Sequence, residues 1–293
     1  MNGALIQVAN GKARVEETEA EGELFPWSAS RLKKLLLCPR QFRFAYLDRL
    51  PTVTTAPLAF GRAVHEAVRI AHEEQMVGGA LPSVAHIIAC FDSLWEEALG
   101  DEVMFRPSHP QPERYQTLGH EALRVFHAMS RDTAPPLMVE LPFEVEVTTQ
   151  EETFRLRGLI DRVDEVRRDE VMGQEGDSAI VIIDYKSGNR KPKPDEVQGD
   201  VQMTLYALVL QQMLGVAVER VEFHLLRDGL VLASQRDEAA LTHLTGEVLP
   251  YASKTLRNGQ FPPCPGYWCR WCDFQEPCRQ EGIRGGESSG LRP

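Results

Sequence analysis

The chain has 293 residues, 43% of them hydrophobic and 26% charged, with a formal net charge of −11. This is a globular composition that excludes a disordered chain, and without a run of about eighteen apolar residues no transmembrane helix is expected. The acidic total argues against a surface that adheres broadly to nucleic acid. Six cysteines without a signal-peptide pattern point to metal or thiol chemistry in a reducing compartment, read here as cytoplasmic.

In chain order, residues 1–23 are a loose polar lead, and SASRLKKLLLC predicts a short helix capped by Ser28 or Ser30. Pro39 interrupts it, and RQFRFAYLDRL resumes the pattern. Three amphipathic helices follow over 61–76, 83–99 and 113–131, so the first half is mostly helical. Near Leu137 the period changes. MVELPFEVEVTT alternates, FRLRGLIDRVDEV alternates more weakly, and AIVIIDYKS is a short apolar run, as expected of a central strand buried on both faces. The acidic connection 169–178 joins the last two as a long hairpin. A helix over 197–215, two strands about the Asp228-Gly229 turn, a helix over 238–258 and a cysteine-rich segment complete the chain. This order predicts an α/β or α+β sheet flanked by helices, with no internal repeat.

Two strand-like runs end in acids, Asp161 and Asp184, and the second acid is followed two residues later by Lys186. Such charges are costly at the edge of a core unless a cation compensates them. Positive charge is concentrated in two clusters, Arg31, Lys33, Lys34, Arg40, Arg43 and Arg49 near the start, and Lys186, Arg190, Lys191 and Lys193 after the second acid. Cys269, Cys272 and Cys278 have the spacing C-x2-C-x5-C, and a thiolate metal site normally takes four ligands. Spacing alone leaves the fourth open between Cys264 and Cys38, and the metal open between zinc and iron–sulfur. Cys90 reads as a buried small hydrophobe, and Trp27, Phe42, Phe44 and Tyr46 read as core.

Taken together and in this order, SASRLKKLLLCPRQFRF, Gly61-Arg-Ala-Val-His65, GLIDRVD, IIDYKSG, Gln202-Met-Thr-Leu-Tyr206 and the terminal cysteines resemble the RecB-like branch of the PD-(D/E)xK nuclease superfamily. Within it the chain is similar to the iron–sulfur members: AddB-type nuclease domains, stand-alone RecB-family exonucleases and the CRISPR-associated nuclease that prepares spacers. Ile160 stands where the family name has proline, and the second acid is Asp rather than Glu.

The resemblance implies a restriction-endonuclease-like α/β fold, a central mixed sheet flanked by helices, with a helical N-terminal half and a cysteine-clipped C-terminus. It implies one nuclease domain over 25–280 with a helical insertion at about 62–135, a flexible lead over 1–24 and a flexible tail over 281–293. Asp161, Asp184 and Lys186 would be catalytic, and His65, Asp161, Asp184 and the Tyr185 carbonyl would hold Mg or Mn. Cys38, Cys269, Cys272 and Cys278 would hold a [4Fe–4S] cluster, with zinc as the alternative, and Cys264 is left over. Gln202, Tyr206 and Arg162 would contact DNA, with Arg62 a further candidate for phosphate, while Asp164 and Glu165 face solvent. The implied activity is divalent-metal-dependent hydrolysis of DNA, exonuclease rather than endonuclease, on single strands or ends in repair or recombination. The alternatives are CRISPR spacer processing and a non-catalytic iron–sulfur DNA-binding partner of a helicase. Without a GxxxxGK[ST] sequence, any helicase motor is a separate chain.

Overall fold

The structure is a computed structural model that describes residues 24–100, 102–107, 109–167, 178–216 and 218–282. The expected polar lead, most of the acidic connection and nearly all of the tail lie outside these residues. A short strand β1 (Pro26–Trp27) leads into α1 (Ala29–Leu37), whose Ser28 cap accepts the N–H of Arg31 at 3.3 Å. Pro39 opens α2 (Pro39–Phe42), where the missing proline N–H has no helical partner to lose. Trp27 stacks on Phe42 at 5.6 Å, and Phe25 meets both edge-on. Trp27, Phe42 and Phe44 are therefore core, as their neighbours Leu32 and Leu35 are, while Phe25 and Tyr46 are partly buried against it.

The helical insertion consists of α3 (Ala56–Gly78), α4 (Val84–Gly100) and α5 (Pro112–Ser130). It is tied back to the chain that enters it, because β2 (Thr54–Thr55) pairs in parallel with β3 (Val103–Met104). Gly119 on α5 admits the Phe91 ring of α4, and a Cβ there would overlap the ring. Gly119→Val is expected to lower stability by about 1–3 kcal/mol through overpacking. An unchanged thermal midpoint would contradict that packing. Cys90 is half-exposed rather than core, with its Sγ 3.7 Å from His86 Nε2.

The sheet is mixed and six-stranded. β4 (Met138–Thr148) and β5 (Thr153–Arg167) form a long antiparallel pair. The other edge of β5 takes β1 near its start and β6 (Ser178–Lys186) toward its end. β7 (Val218–Leu225) runs parallel to β6, and β8 (Leu230–Ser234) closes a hairpin with β7. The expected helix over 197–215 is two pieces, α6 (Pro194–Gln198) and α7 (Val201–Leu214), because Asp200 caps a new start by accepting the Met203 N–H. The last long helical run is α8 (Glu238–His243), a five-residue π turn and α9 (Leu249–Asn258), and α10 (Gln275–Gln280) follows the cysteines.

Apolar residues on the two faces of β6 explain its unbroken hydrophobic run. Ile180 and Ile182 join the core with α1, α7 and α9, while Val181, Ile183 and Tyr185 join the core with α3, α4 and α5. The C-terminal end of β6 thus emerges between the two helical layers. Asp184 and Lys186 stand there, between α3 on one side and α7 on the other.

Candidate active site

β5 changes its facing at Asp161. Ile160 and Val163 lie in the same core although three residues apart, and Arg162 is the first residue of β5 to pair with β6. Asp161 therefore sits where the strand leaves its neighbour, and its Oδ2 accepts the Tyr185 N–H at 3.0 Å. α3 brings His65 Nδ1 to 3.4 Å from the same oxygen.

β4 carries a matching irregularity. Val139 pairs with Arg162 and Leu141 with Ile160, while Glu140 between them has φ +46°, a left-handed backbone rare for a residue with a side chain. This re-aims Glu140, and among the described residues His65, Glu140 and Asp161 are the group of His, Cys, Asp and Glu whose ligand atoms all lie within 4.8 Å of one another. Glu140 was not among the sequence candidates. No signal in the sequence marked it: Val139, Leu141, Phe143, Val145 and Val147 alternate without a break, and Glu140 falls among the outward positions.

On the other side Asp184, almost fully buried, has Lys186 Nζ 2.5 Å from Oδ2 and the Gln202 amide donating to Oδ1 at 2.6 Å. The ammonium contact lies outside hydrogen-bond geometry, so Oδ2 is a buried acceptor without a hydrogen bond. Lys186 Nζ also lies over the Phe223 ring at 5.0 Å. Burial acts to lower the Lys186 pKa, but Asp184, then Asp200 and Asp161, outweigh it, and the amine is held above its ordinary value as an ammonium. Burial and the Asp184 charge push Asp161 up, against His65, the Tyr185 N–H and Lys186. Burial and Asp161 push Glu140 up to about 7, against Arg69. Three carboxyl groups thus crowd one half-buried place with too little positive charge. A hard divalent cation fits the donor set of His65, Glu140 and Asp161, an imidazole nitrogen with carboxylate oxygens, and the Asp184 carboxylate stands beside it in its ion pair with Lys186.

Seven expected residues converge here: His65, Asp161, Asp184, Tyr185, Lys186, Gln202 and Tyr206. Two of the three assigned to DNA contact need correction in detail. Tyr206 is 6% exposed and its hydroxyl accepts from Gln202 at 3.1 Å. Gln202 accepts from Lys33 at 2.9 Å through Oε1 and spends its amide on Asp184 and Tyr206. Both stand behind the carboxylate rather than on an open face.

Arg162, the third, is not at the surface at all. It is 1% exposed, forks onto Asp164 with two bonds of 2.6 Å, and reaches Tyr185 Oη at 3.1 Å and His72 Nε2 at 3.2 Å. The change of facing at Asp161 turns Arg162 and Asp164 to the same buried side, so Asp164 does not face solvent as expected. The first basic cluster is likewise largely structural. Arg31 is buried against the Phe25 and Tyr46 rings, and Arg40 and Arg43 hold Gly282 and Glu281.

Tyr185 Oη bonds His72 Nε2 at 2.7 Å, and His72 Nδ1 donates to Gln75 Oε1 at 3.0 Å. Burial, then the Arg162 charge, pushes the imidazole down to about 3. The unfolded chain binds this proton below about 6.5 and the folded one does not until about 3. Stability is therefore full above pH 6.5 and falls by about 1.4 kcal/mol per pH unit through that window. His72→Phe is expected to flatten this acid limb in denaturant titrations, and an unchanged limb would contradict a buried neutral His72.

The thiols lie elsewhere. Cys38, Cys264, Cys269, Cys272 and Cys278 line one chamber of about 170 Å³ together with Arg40, Phe44, Trp268 and Phe274. The Cys264 N–H points to Cys38 Sγ at 3.4 Å, and the Gly266 N–H to Cys269 Sγ at 3.4 Å. Among the described residues no three thiol sulfurs lie within 4.8 Å of one another. Cys38 and four cysteines of the segment 264–278 nevertheless line one space, and the Arg40 N–H donates to Pro262 O at 3.3 Å beside it.

The chain belongs to the PD-(D/E)XK nuclease superfamily, whose family model matches residues 26–279. No curated protein matches it. Among solved structures, the crystal structure of SSO0001 aligns over 92% of this chain and 91% of its own at 12% identity, with a TM-score of 0.34. No helix among the described residues is long and apolar enough to cross a membrane.

Proposed function

We propose that this protein is a RecB-like, divalent-metal-dependent deoxyribonuclease that removes nucleotides from single-stranded DNA or DNA ends in repair or recombination, alongside a separate helicase chain. The observation that carries this is the meeting of His65, Asp161, Asp184 and Lys186 at the end of β6 in a chain of this superfamily. His65, Asp161, Asp184 and the Tyr185 carbonyl would hold Mg or Mn, with Glu140 as a further ligand. Such an ion, when bound, neutralises the phosphate, acidifies water and stabilises the leaving oxygen. Lys186, kept cationic by Asp184, stabilises charge on the scissile phosphate and orients the attacking water. Gln202 holds one oxygen of Asp184 so that the other faces Lys186, and Tyr206 in turn holds Gln202. Arg162, with Asp164 and His72, fixes Tyr185 from behind.

The [4Fe–4S] reading of Cys38, Cys269, Cys272 and Cys278 is favoured over zinc by the chamber. A tetrahedral zinc with Zn–S bonds of about 2.3 Å draws its sulfurs to about 3.8 Å from one another, whereas these thiols border a space rather than converge on a point. The group would act as a clip between the N-terminal helices and the C-terminal segment, closing a loop long enough to remove much entropy from the unfolded chain.

The test is digestion of end-labelled single-stranded, duplex and overhang DNA with Mg, Mn or a chelator, using anaerobically purified protein. The expected result is metal-dependent shortening from an end, single strands first, by a brown protein absorbing broadly near about 400 nm. A colourless, zinc-containing, active protein would remove the iron–sulfur reading. A folded, metal-loaded protein that cleaves none of these substrates would remove the nuclease one.

A further inference from the structure

A groove of about 780 Å³ opens from the carboxylate site along the start of α3 and the end of α4. It shares His65, Glu140 and Asp161 with the site, so whatever occupies it is continuous with what reacts there. Its remaining chemistry is unlike a phosphate cradle. Leu58, Leu94, Ala98, Val103 and Leu159 make it apolar, and Leu58 and Leu159 are left 47% and 42% exposed. Glu97 adds acid, the Glu66 carboxylate is paired with Arg69, and Arg62 is the one cationic side chain lining it among the described residues. Cationic charge is concentrated instead at the end of β6 and in the segment after it, where Lys186 is followed by exposed Arg190, Lys191 and Lys193, none of which lines the groove.

This separation of charge sorts the parts of a nucleotide. Phosphates are repelled by the acids of the groove and attracted to the Lys186 side. Bases carry apolar faces and amino donors, which suit apolar walls with carboxylate acceptors. The volume lies within the range of small-ligand pockets, roughly 300–1,000 Å³, and is suited to about one or two nucleotides and not to a double helix.

Resting on the nuclease reading above, we infer that this groove seats the unpaired bases next to the scissile phosphate, so that the helical insertion selects single-stranded substrate. The insertion supplies the outer wall through Leu94, Glu97, Ala98 and Val103, and the pairing of Thr54 with Val103 holds that wall in place. Leu58, Ala98 and Leu159 are then specificity residues, set apart from the chemistry.

The experiment measures binding and cleavage separately. Affinities of the full-length protein for fluorescent oligothymidylate and for an equal-length strand of abasic deoxyribose phosphates are compared in calcium, then cleavage in manganese. Two variants accompany wild type: Ala98→Trp, which fills the groove, and Leu58→Gln, which makes an exposed wall polar without adding charge or disturbing the core. The wild type is expected to bind the base-bearing strand about tenfold or more tightly than the abasic one. Both variants are expected to erase that preference, raise KM for oligothymidylate and leave the abasic strand's affinity and kcat unchanged. Equal binding of the two strands by wild type, or variants that keep the preference, would overturn the base seat while leaving a cleaving protein a nuclease. Base-dependent, groove-dependent binding without cleavage would support the seat and remove the nuclease reading alone.

Discussion

Asp161→Asn is expected to abolish high-affinity manganese binding and to lower metal-dependent DNA cleavage by roughly a thousandfold or more. The side chain stands where three demands meet. It accepts the Tyr185 N–H, faces His65 and shares its surroundings with Glu140. An asparagine oxygen can still take the backbone N–H, so the fold should survive, but the charge that attracts the cation is gone. Calorimetry or manganese paramagnetic resonance on the variant reads the binding loss without reliance on turnover. Cleavage within about tenfold of wild type, with normal manganese uptake, would show that the centre lies elsewhere. Glu140→Gln should give a milder loss of metal affinity, about 10–100-fold, as expected of a ligand that completes rather than founds the set.

Arg162→Ala is expected to cost about 3–5 kcal/mol of stability, because it strips the bidentate partner from a half-buried Asp164 and leaves the buried Tyr185 hydroxyl with His72 alone. For a domain of this size the thermal midpoint should drop on the order of 10 °C. The double variant Arg162→Ala/Asp164→Ala should recover part of that loss, since it also removes the orphaned carboxylate. An arginine that met DNA phosphates would behave in the opposite way, weakening DNA binding with the midpoint unchanged.

The strand end that carries the acid and the lysine was legible in the sequence because it is local. Asp184, Tyr185 and Lys186 sit on one strand end, and the unbroken apolar run before them announced burial on both faces. The Asp228-Gly229 hairpin was equally plain, with Gly229 at φ +65°. What failed to show depended on facing. Arg162 follows Asp161 and reads as its companion on the surface, but a strand that changes facing at Asp161 sends Arg162 and Asp164 together into the interior. Glu140 reads as one of several outward acids on an alternating strand, and only a left-handed residue turns it inward. β1 is two residues long, below any periodic signal, and gains its strand character from pairing with Arg155 and Leu156. The thiol chamber joins residues from both ends of the nuclease core, so spacing could fix three of its members and leave Cys38 and Cys264 undivided.

The central claim is that Lys186 acts on a phosphate beside a carboxylate-held metal. The most direct measurement is single-turnover cleavage of end-labelled single-stranded DNA by wild type and Lys186→Ala, each shown to bind manganese and DNA beforehand. The variant is expected to bind both and to cleave at least about a hundredfold more slowly. Cleavage at the wild-type rate by a variant with normal metal and DNA binding would contradict it.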